Sequence, residues 1–172
     1  MDVLQAISTR RSHRSYQPTQ LPEETLNAIL RAALQSPSAR NLQPWHFSVC
    51  QDQALLQEVN DEAAKVMNRS DFQIFYHAPT VIFIFGDTQN PWMPIDCGIA
   101  VQNIALSAEG LGIGSVILGL PKLAFQGDRQ EELKQKFSCP PGYDFAIAIA
   151  LGYSADTKDP HEAHEEKITR IG

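Results

Sequence analysis

Cysteine is scarce in this chain: three in 172 residues, Cys50, Cys97 and Cys139, far apart and with no C-x-x-C pair. Neither a zinc knuckle nor a redox dithiol has its usual spacing, so a reducing compartment, the cytoplasm, is expected. Long apolar runs are missing too. None approaches the roughly 20 residues that a membrane span needs, and no membrane partner is expected. The opening MDVLQAISTRRSHRSY places its acid first and its basic residues after the apolar ones, the reverse of a secretory leader. Positive charge is in deficit, 14 Lys and Arg against 20 Asp and Glu, for a formal net charge of −6. Nucleic acid would have to be held by a local basic patch against that field, and is not expected as a partner. No G-x-S-x-G elbow surrounds Ser12, Ser36, Ser38 or Ser115, which removes support for a serine hydrolase. With 43% hydrophobic residues and no internal repeat, the chain suits one core, a single domain over 1–172.

What is present alternates between helical and strand patterns. Val3 to Ile7 read as a short helix. PEETLNAILRAALQ places Leu26, Ile29, Leu30, Ala33 and Leu34 on one stripe, with Pro22 expected at the first helical position. HFSVC reads as a strand, and DQALLQEVNDEAAKVM as a helix through Leu55, Leu56, Val59, Ala63 and Val66. TVIFIF has the continuous apolar character of a strand buried on both faces. PIDCGIAVQNIALSAEGLG is apolar nearly all round, which marks a central helix, and Gly110 and Gly112 supply its stop. SVIL is a further strand. DRQEELKQKF predicts a helix with Asp128 as N-cap and Glu131 completing a capping box. In YDFAIAIALGY, Phe145, Ile147, Ile149 and Leu151 alternate with alanines, a strand whose second face is closely packed. The last twenty residues are polar and without period. Such an order supports a layered α/β or α+β domain.

The densest charge cluster is RRSHR, with Arg10, Arg11 and Arg14 around Ser12 and His13. Three guanidiniums repel one another, and their forks match phosphate or carboxylate oxygens, so an anionic ligand is one compensation and a solvated basic loop the other. The string GLGIGSVILG invites a dinucleotide reading. It fails because a helix precedes the glycines and a strand follows, the reverse of the fingerprint. Gly119, directly after a strand, differs: bare backbone there lets a flat ligand approach main-chain N–H groups. Asp96 reads as a first-turn acid favoured by the helix dipole, and Cys97 as a small buried hydrophobe. His161 and His164 would suit a metal only weakly; solvated tail residues are commoner, and no metal is expected. SPSARNLQPWHF, Ser36 to Phe47, breaks every rule for a helix or strand, and within one chain its purpose is obscure.

Together these pieces resemble the nitroreductase family of FMN-dependent oxidoreductases. RRSHRSY is similar to its N-terminal R-R-S-x-R-x-F/Y signature, and SPSARNLQPWHF to its S-P-S-x-x-N-x-Q-P-W segment. FYHAP resembles the turn before its central strand, DCGIAVQNIALSAEGLGIGSVILG its core helix and following strand, and ALGY its final strand. The resemblance implies an α+β fold of three layers, a central mixed, mainly antiparallel sheet flanked by helices. It also implies an obligate homodimer with two FMN sites at the subunit interface and residues 153–172 as an arm onto the partner.

On that basis Arg10, Arg11 and Ser12 hold the FMN phosphate and ribityl chain. Arg14 lies by the pyrimidine edge as an electrostatic stabiliser of the reduced ring. Leu118 and Gly119 bring backbone N–H groups to the ring. Pro37, Ser38, Ala39, Asn41 and Gln43 come from the other subunit, and Lys167 or Arg170, with Lys167 preferred, reaches the phosphate. Asn68 and Arg69, or Asp71 and Gln73, stand where many members place flavin-touching residues. Little room remains between HFSVC and FYHAP for the insertion that often covers the substrate pocket. The implied activity takes hydride from NADH or NADPH and reduces nitroaromatic, quinone or related acceptors by a ping-pong mechanism, with no acid–base residue of the protein. The alternatives are a non-catalytic or slow flavin-binding or sensor module, and a same-fold enzyme that dehalogenates, desaturates or fragments its ligand.

Overall fold

The computed structural model describes residues 1–69 and 71–172. Its helices are α1 (Val3–Thr9), α2 (Glu23–Leu34), α3 (Gln53–Met67), α4 (Met93–Gly110) and α5 (Gln130–Lys136). Its strands are β1 (Trp45–Cys50), β2 (Thr80–Asp87), β3 (Gly114–Leu118) and β4 (Tyr143–Gly152). Among the described residues the strands form one sheet in the order β1-β2-β4-β3, and each neighbouring pair is antiparallel. The expected mixed character is carried by one parallel bridge, Ser12 to Ser115. Helices cover both faces, giving an α+β sandwich of three layers.

β2 decides this arrangement. Successive side chains of a strand point to opposite faces, and here both sets are buried. Val81, Phe83 and Phe85 enter one core, with residues of α3, α5 and the 3-10 segment Leu120–Gln126. Ile82 and Ile84 enter the other, with residues of α2 and α4. The first core is aromatic: Phe83 has its ring centroid 4.3 Å from Phe137 and 5.8 Å from both Phe75 and Phe125. In β4, Ala148 and Ala150 face these rings while Ile147, Ile149 and Leu151 face α4. The simple alternation expected from Phe145 onward is broken by a β-bulge. Ile84 pairs with Ile147 but Phe85 with Phe145, so Ala146 is the extra residue and Phe145 turns into the aromatic core.

Helix ends show where local signals were overridden. Asp2 and Asp52 cap α1 and α3 by accepting backbone N–H groups of Gln5, and of Ala54 and Leu55. Pro22 is the N-cap of α2, one place earlier than predicted. Leu34 and Val66, assigned to apolar stripes, are exposed. Asp128 does not cap α5. A turn closed by Gln130 N–H to Gly127 O delays the helix, and Arg129 takes the cap position. The side chain of Arg129 reaches Glu132 and also Glu58 and Glu62 of α3, an ion-pair network tying two helices of one layer together. α4 ends as the glycines predict. Gly112 holds φ 75°, its N–H bonds Glu109 O, and Ile113 N–H bonds Ala108 O at 2.9 Å, a Schellman closure.

Phe83 is fully buried and central to the aromatic cluster. Phe83→Ala is expected to cost about 3–5 kcal/mol of unfolding free energy, read from the midpoint of urea denaturation at unchanged m-value.

Candidate functional site

Two groups of predicted residues lie at opposite edges of the sheet. The first gathers beyond β3. After α1 the chain runs extended past β3, fixed by the Ser12–Ser115 bridge and by His13 N–H to Ser115 O at 2.9 Å. It continues beside residues following β4: Tyr16 bridges Ser154, Gln17 N–H donates to Tyr153 O, and Ala155 N–H donates to Ser15 O. Residues 153–159 therefore lie along this chain's own N-terminal loop.

Asp156 is the knot of this corner. Its Oδ1 is 2.6 Å from His13 Nδ1, its Oδ2 accepts the Arg14 N–H at 3.0 Å, and Lys158 Nζ stands 3.0 Å away. Partial burial would raise the carboxyl pKa. The Arg14 N–H, His13 and Lys158 outweigh it and hold the group at about 2. Tyr16 donates its hydroxyl to His13 O at 2.8 Å, and burial, aided by the Asp156 charge, pushes its phenol pKa up.

The three guanidiniums stay unneutralised: among the described residues none of Arg10, Arg11 and Arg14 forms an ion pair with a carboxylate side chain. Arg11 is engaged by carbonyls, Nε with Asp159 O at 2.7 Å and Nη1 with Ser8 O and Arg10 O at 2.8 Å. Arg14 lies over the Tyr76 ring, 5.9 Å from its centroid. Leu118 ends β3 opposite Ala148. At Gly119, just beyond, a Cβ would meet nothing within 4 Å, so that backbone faces open space. Lys167 is exposed in a 3-10 turn, Glu165–Lys167, and its side chain forms no ion pair among the described residues. Asn68 is the left-handed C-cap of α3, and Arg69 stacks over Phe72 at 4.8 Å. Asp71 is exposed and Gln73 half-buried. Ser70, between these alternatives, lies outside the described residues.

The second group is the loop from Ser36 to Pro44, which leads into β1. Pro37 and Pro44 bracket a turn in which Arg40, Asn41 and Gln43 all hold positive φ, 54°, 56° and 49°. Ser38 Oγ accepts the Gln43 N–H at 2.9 Å, Gln43 Nε2 donates to Asn41 Oδ1 at 3.1 Å, and Ala39 N–H donates to Asp96 Oδ1 at 3.1 Å. Trp45 anchors the end of the loop in the core with 8% of its surface exposed. Arg40 lines a cleft of about 340 Å³ with Leu42, Asp87, Trp92 and Tyr143. β1 and β3 are three strand spacings apart in the sheet, about 14 Å.

The profile of the Nitroreductase family matches residues 7–153, from α1 to the end of β4. The chain belongs to the nitroreductase family. A relative from Methanothermobacter thermautotrophicus, provisionally named NADH dehydrogenase/NAD(P)H nitroreductase, is 39% identical over 97% of this chain and 88% of its own. Among solved structures, a nitroreductase with bound FMN from Desulfitobacterium hafniense is 35% identical, with a TM-score of 0.93 over 100% of both chains. Another with bound FMN, from Bacteroides fragilis, is 26% identical with a TM-score of 0.92, again over 100% of both.

In this member of the family, the sequence makes the arginine corner and the loop legible but not what holds them. Asp156 has no local signal, because its partners are some 140 positions away in sequence. Asp96 was read through its own helix, although its hydrogen bond goes to the loop.

Asp156→Asn is expected to lower stability near neutral pH by about 1–2 kcal/mol. The folded pKa lies below the unfolded value near 3.9, so the carboxylate's contribution is present above about pH 4 and lost as pH falls through about 2. Urea denaturation of both proteins between pH 7 and pH 2 should show the gap narrowing below about pH 4 and smallest at the acid end.

Proposed function

We propose that this nitroreductase-family protein is a homodimeric, FMN-dependent oxidoreductase that takes hydride from NADH or NADPH and reduces nitroaromatic, quinone or related acceptors in a ping-pong cycle. The observation that carries the proposal is the arginine corner: three guanidiniums with no carboxylate partner among the described residues, in a chain of net charge −6, bridged to the strand that ends in an open Gly119. An anionic, flat ligand fits that donor set. FMN, when bound, supplies the hydride-accepting and hydride-donating ring.

The protein's share is binding, orientation and electrostatics. Arg10, Arg11 and Ser12 hold the phosphate and ribityl oxygens. The carbonyls of Ser8, Arg10 and Asp159 fix the Arg11 guanidinium in place, so less side-chain freedom is lost on binding. Arg14 places a cation at the pyrimidine edge, favouring the electron-rich state of the ring. Leu118 and Gly119 present main-chain N–H groups to the ring. Pro37, Ser38, Ala39, Asn41 and Gln43 form a stiff rim that orients the ring and excludes water from one side of it.

The homodimer is supported by the position of that rim. A loop at the β1 edge meets a flavin held beyond β3 when the two belong to different copies. α1 supports it as well: only Ala6 is buried, while Val3, Leu4 and Ile7 are 65%, 75% and 53% exposed, an apolar surface suited to a partner. Of the arm expected over 153–172, residues 153–159 lie instead along this chain's own N-terminal loop, and 160–172 act as the arm onto the partner, where Lys167 reaches the phosphate. The names of the similar proteins agree with a nicotinamide donor and with FMN.

The purified protein is expected to show a flavin absorption spectrum that NADH or NADPH bleaches without oxygen and that menadione or a nitrofuran restores. Protein that takes up no FMN sinks the proposal. Full occupancy with negligible turnover points instead to a flavin-binding module. Arg10→Ala is expected to weaken FMN binding about 10- to 100-fold. Arg14→Ala is expected to lower the flavin potential by about 30 mV, equivalent to about 1.4 kcal/mol for a two-electron couple. Fluorescence titration and spectroelectrochemistry separate the two effects.

A further inference from the structure

α4 is largely apolar, yet two of its polar side chains, Asp96 and Asn103, stand two turns apart on one face. Both engage the chain that leaves α2. Asn103 Nδ2 donates to Ser36 Oγ at 2.9 Å and, more weakly, to Ala32 O at 3.4 Å. Asp96, 3% exposed, accepts the Ala39 N–H at 3.1 Å through Oδ1, while its Oδ2 is buried without a partner among the described residues. The residues just beyond these two anchors are Arg40, Asn41 and Gln43, all with left-handed backbone. For L residues other than glycine that conformation persists only where the surroundings over-determine it. A carboxyl group buried for one bond to a strained loop is a clamp. As a first-turn acid it would serve the dipole equally well from the surface.

We propose that Asp96, assisted by Asn103, is the positioning residue that locks the 36–43 loop of one subunit in the shape that grips the flavin of the other. The inference rests on the FMN proposal above, since Pro37, Ser38, Ala39, Asn41 and Gln43 are the loop's contacts there. Ser36 fixes where the loop begins, Ala39 fixes its middle, and the Ser38 to Gln43 hydrogen bond closes it. FMN affinity thus depends on a residue that touches no flavin.

The test compares Asp96→Ala, Asp96→Asn and Asn103→Ala with the unmodified protein, by amide hydrogen exchange of the peptide spanning 37–43 and by FMN fluorescence titration. Asp96→Ala is expected to speed exchange at Ala39 and to weaken FMN binding, each by about tenfold. Asp96→Asn keeps an oxygen for the Ala39 N–H and is expected to restore both to within about threefold. A folded Asp96→Ala protein with loop exchange and FMN affinity within about twofold of the original overturns the proposal. So does an Asp96→Asn protein as impaired as the alanine variant. If Asp96→Ala does not fold, Asn103→Ala decides: faster exchange across 37–43 supports the clamp and unchanged exchange overturns it. If the unmodified protein takes up no FMN, the cofactor proposal fails on its own, while hydrogen exchange still reads whether Asp96 holds the loop.

Discussion

β2 has no face left for water. Its side chains from Thr80 to Phe85 are fully buried, so each side of the sheet must be covered and each cover must have its own composition. Phenylalanines fill the side under α3 and α5, aliphatic residues the side under α4. β4, the next strand, accommodates both through alanines toward the rings and larger side chains toward the helix. The bulge at Ala146 reverses that pattern at one end. The candidate site follows from this central packing. α4, pressed against the aliphatic face, carries the side chains that hold the Ser36–Pro44 loop, and β3, beyond β4, carries the backbone opposite the arginine corner.

The parts of the fold legible in sequence were those set by periodicity or backbone restriction. The apolar run of β2, the all-apolar α4 and its glycine stop were readable because each signal is local and strong. The N-terminus of α5 was misread because a turn at Gly127–Gln130 and the reach of Arg129 to Glu58 and Glu62 set it, and the partners lie about seventy positions away. Phe145 was misassigned for a related reason. A bulge is one extra residue in a ladder, and it has no signature until the partner strand is in view. The arginine corner was visible as an uncompensated charge, whereas Asp156 was not visible as its support, nor Asp96 as the support of the Ser36–Pro44 loop. An acid in a polar tail or in a first helical turn looks ordinary until its tertiary partner is known.

Each half of the site hangs on an aspartate that accepts a backbone N–H, Asp156 near the surface and Asp96 in the interior. Hydrogen bonds to a charged carboxylate and a short stretch of bridged backbone hold the arginine corner, so its integrity is linked to pH and to the segment after β4. The Ser36–Pro44 loop is held by prolines, internal hydrogen bonds, a buried anchor at Trp45 and the α4 side chains Asp96 and Asn103. The Asp96 contact is buried, so salt screens it little.

The bridge between Ser12 and Ser115 has a consequence outside ligand binding. β3 is an edge strand of five residues, including Val116, Ile117 and Leu118, and a bare edge of that composition is a template for pairing with another chain. The N-terminal loop covers the start of that edge with residues whose neighbours are arginines, so an approaching strand meets both occupied hydrogen-bonding groups and repelling charge. The segment that offers a place to an anion is therefore also the guard of the sheet. Damage that loosens it should appear as self-association of the protein as well as loss of ligand.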